Sequence, residues 1–338
     1  MSISILTRVS TRTLPEERVT TTRRWPVVLA AAVVLVAVVV RLTGTKVGFL
    51  DVPAVQAWTT VFVAIVIQAT PFLVFGVMVS ALIAVLVPPS FFTYALPRNQ
   101  ALAVPVASLA GAVLPGCECA SVPIARRLVS RGVPPAAALA FLLSAPAINP
   151  IVIVATAVAF PGRPEMVLAR LVASVAVSMT VGFIWIKLGR PAWTMVKQRP
   201  ESVGRTRLER FAYETRHDFL QAGGFLVIGA MAAAALNVLV PQSILTSIAS
   251  SPWLSVLALG LLAVLLAVCS EADAFIAASL TSFSPTAQLA FMVVGPMVDV
   301  KLIAMQAGTF GRAFALRFAP LVFVTGMVAT AVVGLVLL

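Results

Sequence analysis

Apolar runs of membrane-crossing length, separated by short polar connections, fill most of this chain. Residues 1–24 are polar and carry Arg8, Arg12, Arg18, Arg23 and Arg24; the apolar run 25–42, Trp25 to Leu42, follows. Five arginines precede that run and no small-residue cleavage pattern follows it. We read it as a retained transmembrane anchor with its N-terminus in the cytoplasm. Four further apolar segments are Ala54 to Val87, Ala101 to Arg131, Pro134 to Phe160 and Glu165 to Leu188. Proline removes a backbone donor and glycine relaxes the backbone, so breaks are expected at Pro115-Gly116, at Pro146 and at Asn149-Pro150.

The pattern then recurs. At an offset of 150 residues Cys119 falls on Cys269, Pro135 on Pro285, Leu139-Ala140-Phe141 on Leu289-Ala290-Phe291, Pro146 on Pro296 and Asn149 on Asp299. At an offset of 153, the stretch Gln68 to Pro88 matches Gln221 to Pro241 at 12 of 21 positions. Shared Gln, Gly, Met, Phe and Pro positions do not follow from an alanine- and valine-rich composition. Internal duplication in an apolar chain points to a transporter. We place repeat one at 54–188, a basic connector at 189–208 and repeat two at 209–338.

Charge sets the topology. The connector region carries Arg190, Lys197, Arg199, Arg205, Arg207, Arg210 and Arg216, which puts it in the cytoplasm. Arg126, Arg127 and Arg131 join it there if Ala101 to Arg131 enters the membrane and returns on one side. Each repeat would then hold three crossings and one re-entrant hairpin, the second hairpin being Trp253 to Phe283. An odd number of crossings inverts the second copy relative to the first. The crossings of repeat two would be Phe211 to Val240, Pro285 to Gly308 and Arg312 to Leu338, with Lys301, Arg312 and Arg317 near the cytoplasmic side. The expected fold is thus an all-α polytopic membrane protein with two inverted-topology repeats and broken helices after an N-terminal anchor. Seven crossings fit the charges; eight or nine follow if the hairpins span.

Composition narrows the class. The chain is 60% hydrophobic and 11% charged, far from the balance of a soluble domain, with mean hydropathy +1.05. Lys and Arg outnumber Asp and Glu by 24 to 12, and their clustering in connections suits a solvated face at the bilayer surface better than nucleic-acid binding. Cell-membrane localisation is expected, with the bilayer and a small solute as partners and a homo-oligomer left open. Three cysteines make no disulfide framework, His217 sits beside Asp218 in a polar connection, and no GxxxxGK[ST] loop occurs. No enzyme, cofactor or structural metal is expected.

The chemistry gathers at the breaks. Cys117, Glu118 and Cys119 follow Pro115-Gly116, where non-helical backbone at membrane depth needs a protein or aqueous lining. On a regular helix residues two apart point to nearly opposite faces, so both thiols meet one ligand only if the helix is interrupted. Buried cysteine can also act as a plain small hydrophobe. The recurrence of Cys119 as Cys269 argues for a function, whereas Cys117 taken alone suits the hydrophobe. Glu118, Glu271, Asp273 and Asp299 are costly in an apolar setting unless paired, hydrated or neutralised. They are candidate proton carriers, although Glu271 and Asp273 could lie in water at a hairpin tip and Glu118 could cap a half-helix. Lys301 could pair with Asp299 or snorkel to the surface. Asn149 and Asp299, beside Pro150 and Pro296, would face each other across a pseudo-axis.

The strings Gly116 to Pro150, Cys269 to Leu280 and Leu289 to Lys301 resemble the predicted-permease family that includes the ArsP-like exporters of trivalent organoarsenicals and the YraQ-like proteins. The resemblance rests on Cys117, Cys119, Ser121, Val122, Pro123, Pro146, Asn149, Pro150, Cys269, Ser270, Asp273, Ala274 and Phe275. Glu118 stands where a small residue is usual in the family. What the resemblance implies is a permease whose Cys117, Cys119 and Cys269, with Ser121, Ser270 and Asn149, hold a thiophilic solute. Arsenic efflux by a secondary-active exporter is then the expected activity, since trivalent arsenic exchanges readily between thiolates. A permease for a soft metal ion, sulfur compound or other small solute is the alternative, and an intramembrane thiol oxidoreductase a lesser one.

Overall fold

A bilayer offers no water to backbone amides, so apolar segments must satisfy their own hydrogen bonds as helices. A computed structural model describes residues 53–87, 97, 99–113, 117–189, 206–239 and 252–338. Among them there is no strand, and the chain is an all-α polytopic membrane protein. The segments 1–24 and 25–42, the Pro115-Gly116 break and most of the connector 189–208 lie outside the described residues.

Among the described residues, twelve helices follow one another in two matching series. The first is α1 (Pro53–Leu86), α2 (Gln100–Ala110), α3 (Glu118–Ser130), α4 (Pro135–Ile148), α5 (Pro150–Ala159) and α6 (Pro164–Leu188). The second is α7 (Arg207–Leu239), α8 (Pro252–Leu266), α9 (Asp273–Ser279), α10 (Pro285–Val294), α11 (Val300–Phe310) and α12 (Arg312–Leu337). By length and composition five stretches could cross a bilayer: α1, α4 with α5 as one run, α6, α7 up to Leu236, and α12. At 1.5 Å per residue α2 and α3 are only about 16 and 20 Å long, roughly half to two-thirds of a hydrocarbon core.

Mated helices run antiparallel. Near the start of α1 the Trp58 indole donates to the carbonyl of Met231, late in α7, at 3.3 Å. Near the other end, Ser80 of α1 donates to Asp218, early in α7, at 3.3 Å. The α6 and α12 pair repeats this, because Trp185 late in α6 packs edge-on against Phe314 and Phe318 early in α12 at 5.3 and 5.5 Å. Helices at corresponding places in the two halves therefore run antiparallel.

The broken helices differ slightly from expectation. In the first half the break falls at Asn149 alone: its side chain accepts from Val152 N at 3.0 Å and its amide donates to Ala145 O at 3.1 Å. Pro146 stays inside α4, where losing one amide donor does not stop the helix, and Pro150 opens α5. In the second half α10 ends at Val294, Gly295 to Val298 with Pro296 form the turn, and Asp299 caps α11 by accepting from Leu302 N at 2.5 Å. Both polar side chains are bound to the start of their own half-helix.

Polar residues at one end tie α1, α3 and α7 together. Arg126 donates to Asp218 at 3.0 Å, and Arg127 reaches Glu214 at 2.7 Å and Asp218 at 3.0 Å. Arg131 donates to the carbonyl of Ala84. These arginines are half-buried in a network rather than solvated on a loop, and Asp218 is buried among them.

Candidate functional site

Two buried ionic clusters lie where the half-helices begin. The first gathers Cys117, Glu118, Cys119, Cys269, Asp299 and Lys301, all at most 1% exposed. Cys117 is the extended N-cap of α3 and makes no capping bond with its side chain, while Glu118 and Cys119 open the helix. That change of backbone from extended to helical defeats the opposed-faces geometry of a regular helix. The ligand atoms of Cys117, Glu118 and Cys119 lie within 4.8 Å of one another. Cys269 of the second half adjoins this trio through Lys301, whose ammonium contacts both Glu118 and the Cys269 thiol.

Lys301, second residue of α11, is the cation of this cluster. Its Nζ lies 2.5 Å from Glu118 Oε1 and 3.7 Å from Asp299 Oδ2, and it donates to Ala267 O at 3.0 Å and to Cys269 Sγ at 3.7 Å. Coulomb attraction falls with distance, so Glu118 is its principal partner and Asp299, the partner expected from sequence, the lesser one. Lys301 is fully buried and neither snorkels nor sits at a surface, because its ammonium is neutralised in place. Glu118 Oε2 has no hydrogen-bond partner among the described residues.

Two glycines that recur at the 153-residue offset make the approach of these half-helices possible. A Cβ on Gly76 of α1 would lie 2.3 Å from the Cα of Ala120 in α3. One on Gly229 of α7 would lie 2.6 Å from the Cα of Lys301 itself. Cys269 sits in the loop between α8 and α9, whose first residue, Ala267, has φ of 50°. A non-glycine residue in the left-handed region costs of order 1–3 kcal/mol and persists where surroundings impose it. Here the imposed feature is a carbonyl aimed at Lys301.

The second cluster centres on a residue that the sequence pattern did not single out. Arg170 of α6 is fully buried and grips Asp273, in the first turn of α9, with two parallel bonds of 2.9 and 2.7 Å. It also donates to the Thr156 hydroxyl of α5 at 2.8 Å and to Ser270 O at 3.4 Å. Asp273 is thus paired and not hydrated at a hairpin tip. The available signal was plain: Arg170 is a lone charge inside an apolar run, which is costly without a partner.

Other expected residues have varied placements. Ser121 is one turn into α3 and donates to Glu118 O at 2.9 Å, whereas the buried Ser270 hydroxyl has no partner among the described residues. Glu271 is partly exposed, and neither of its carboxylate oxygens has a hydrogen-bond partner among the described residues. Asn149 caps α5 two turns before Thr156, on the helix that Arg170 grips. Of the repeated glutamines, Gln221 donates to Gly308 O at 3.3 Å and Gln68 faces outward from α1.

Comparison with known proteins agrees with this architecture. A family model described as a predicted permease matches residues 54–335. The UPF0718 protein YcgR of Bacillus subtilis is 38% identical over 262 residues, covering 75% of this chain and 89% of its own. A Streptococcus mutans protein, named as a candidate subunit of a two-component membrane permease complex, is 34% identical over 266 residues, 76% of this chain and 88% of its own. No solved structure matches. A multi-pass helical chain with buried thiols and ion pairs at its helix breaks, matched along nearly all its described length, belongs to the predicted-permease family ArsP_1.

Proposed function

We propose that this permease is a secondary-active exporter of a small thiophilic solute, such as a trivalent organoarsenical, held by Cys117, Cys119 and Cys269. The observation that carries the reading is one buried ammonium, Lys301, that joins Glu118, set between Cys117 and Cys119 of the first half, to Cys269 of the second. Three soft ligands from two inverted halves suit a cargo that passes between them by thiol exchange. Glu118, Glu271, Asp273, Asp299 and Lys301 take and release the protons that accompany the cycle. An ammonium touching Cys269 disfavours a metal cation at the same point, so a soft metal ion ranks below a neutral solute.

The same reading makes α2 with α3, and α8 with α9, re-entrant hairpins. Its support is twofold: Gly111 at the end of α2 lies against Ser144, late in α4, and the far end of α3 joins the ion network at the start of α7. The N-terminus and connector are then cytoplasmic, in the plasma or inner membrane, by the positive-inside rule. From the name of the streptococcal relative we carry over a second membrane subunit as partner, to be sought by affinity purification from the native membrane.

The test is survival of an arsenic-sensitive host on methylarsenite with wild type or Cys119→Ala. Protection by wild type and its loss in the variant is expected. Equal survival, at equal membrane abundance, removes Cys119 from the site. Accumulation of copper or zinc, competing with the arsenical, would favour the metal alternative.

A further inference from the structure

The loop Ala267 to Asp273 carries Cys269 and is held at both ends by buried cations from opposite halves of the chain. At its start Lys301 takes the Ala267 carbonyl and touches Cys269 Sγ. At its end Arg170 takes the Ser270 carbonyl and both oxygens of Asp273. Thr156, through the same Arg170 nitrogen that binds Asp273 Oδ1, ties the clamp to α5. Arg170 supplies this hold from the first half, and the loop contains the backbone strain at Ala267 that such a hold must maintain.

We infer that Arg170 is a positioning residue: its fork on Asp273 and Ser270 presents Cys269 of the second half to Cys117 and Cys119 of the first. A planar guanidinium with a fixed donor fork is suited to this, because it sets the direction of the loop as well as its distance. Lysine keeps the charge and loses the fork. This inference takes the thiol cluster as the binding site, and its test reads thiol proximity with no cargo present, so it fails separately from the export reading.

The experiment uses the full chain in membranes, with Cys119→Ser leaving Cys117 and Cys269 as the only thiols. Copper-phenanthroline and oxygen remove two protons and two electrons from an adjacent pair to form a disulfide, scored after protease cleavage between the halves and normalised to monodisperse protein. The Cys119→Ser background is expected to cross-link readily. Arg170→Lys and the neutral pair Arg170→Gln with Asp273→Asn should each lower the yield roughly tenfold, the scale on which supporting contacts tune a site. The neutral pair leaves no buried lone charge, so it recovers the folded protein that Arg170→Gln alone loses, while the yield stays low. Full cross-linking in either Arg170→Lys or the neutral pair overturns the positioning role and leaves Arg170 as a charge partner only.

Discussion

Lys301 of the second half and Glu118 of the first meet at 2.5 Å between their charged atoms, both fully buried. The two residues open different half-helices; α7 approaches Lys301 closely because Gly229 lacks a side chain, and α1 approaches Ala120, two residues after Glu118, because Gly76 does. One ion pair therefore joins the halves at the point where the thiols collect. Removing only Lys301 leaves Glu118 and Asp299 as buried, uncompensated acids, whereas removing charge from both members does not.

Lys301→Met is expected to destabilise the protein by about 3–5 kcal/mol, and Lys301→Met with Glu118→Gln by much less. Thermal unfolding in detergent, followed by size-exclusion recovery, measures the difference. Neither variant should transport, which separates the fold from the function of the pair. Transport by the double variant would show that neither charge takes part.

Gly76→Ala and Gly229→Ala should each cost roughly 1–3 kcal/mol by overpacking, with the backbone of α3 or α11 pushed away. The clashes are with Ala120 and Lys301 main-chain atoms, which cannot rotate aside as a side chain can. At Gly132, where φ is 90° and an added methyl would meet open space, alanine should show only the backbone strain of a positive φ. Thermal shifts of the three variants rank them.

Arg127→Ala should lower stability by about 1.5–3 kcal/mol, because its charge-assisted bonds to Glu214 and Asp218 are largely shielded from water. Arg163→Ala removes an exposed pair with Glu165 and should cost about 0–1 kcal/mol. Comparable losses at the two sites would contradict the assignment of the first network to a packed end of α1, α3 and α7.

Asp299→Asn should keep α11 capped while removing a charge, and Asp299→Ala should lose both, at a further cost of about 0.5–2 kcal/mol. If the carboxylate carries a proton during transport, Asn abolishes activity although the fold survives. Transport by Asp299→Asn at the wild-type rate would confine Asp299 to capping.

The parts of this arrangement written locally in the chain were legible in its sequence. Cys119 and Cys269, or Asn149 and Asp299, announce themselves because duplication leaves them at one offset, and all but Cys269 lie within three residues of a proline or glycine. Pairings between the halves were not legible, since Arg170 and Asp273 are 103 residues apart and no local pattern joins them. Lone charges in apolar runs mark that a partner exists without naming it. Pro146 misled for the opposite reason: its local signal is strong, yet a membrane helix can continue past one missing donor when packing holds it. The basic end of α3 read as solvated because Glu214 and Asp218, which neutralise it, lie in the other half.

The central claim is that thiols from both halves form one binding site, and adduct mapping tests it most directly. Purified protein is incubated with methylarsenite, cleaved between the halves and analysed by mass spectrometry. A methylarsenic bridge linking the Cys269 fragment to the Cys117-Cys119 fragment, lost in Cys269→Ser, is the result expected. An arsenical held only within the Cys117-Cys119 fragment, or no adduct while the thiols stay free, would contradict it.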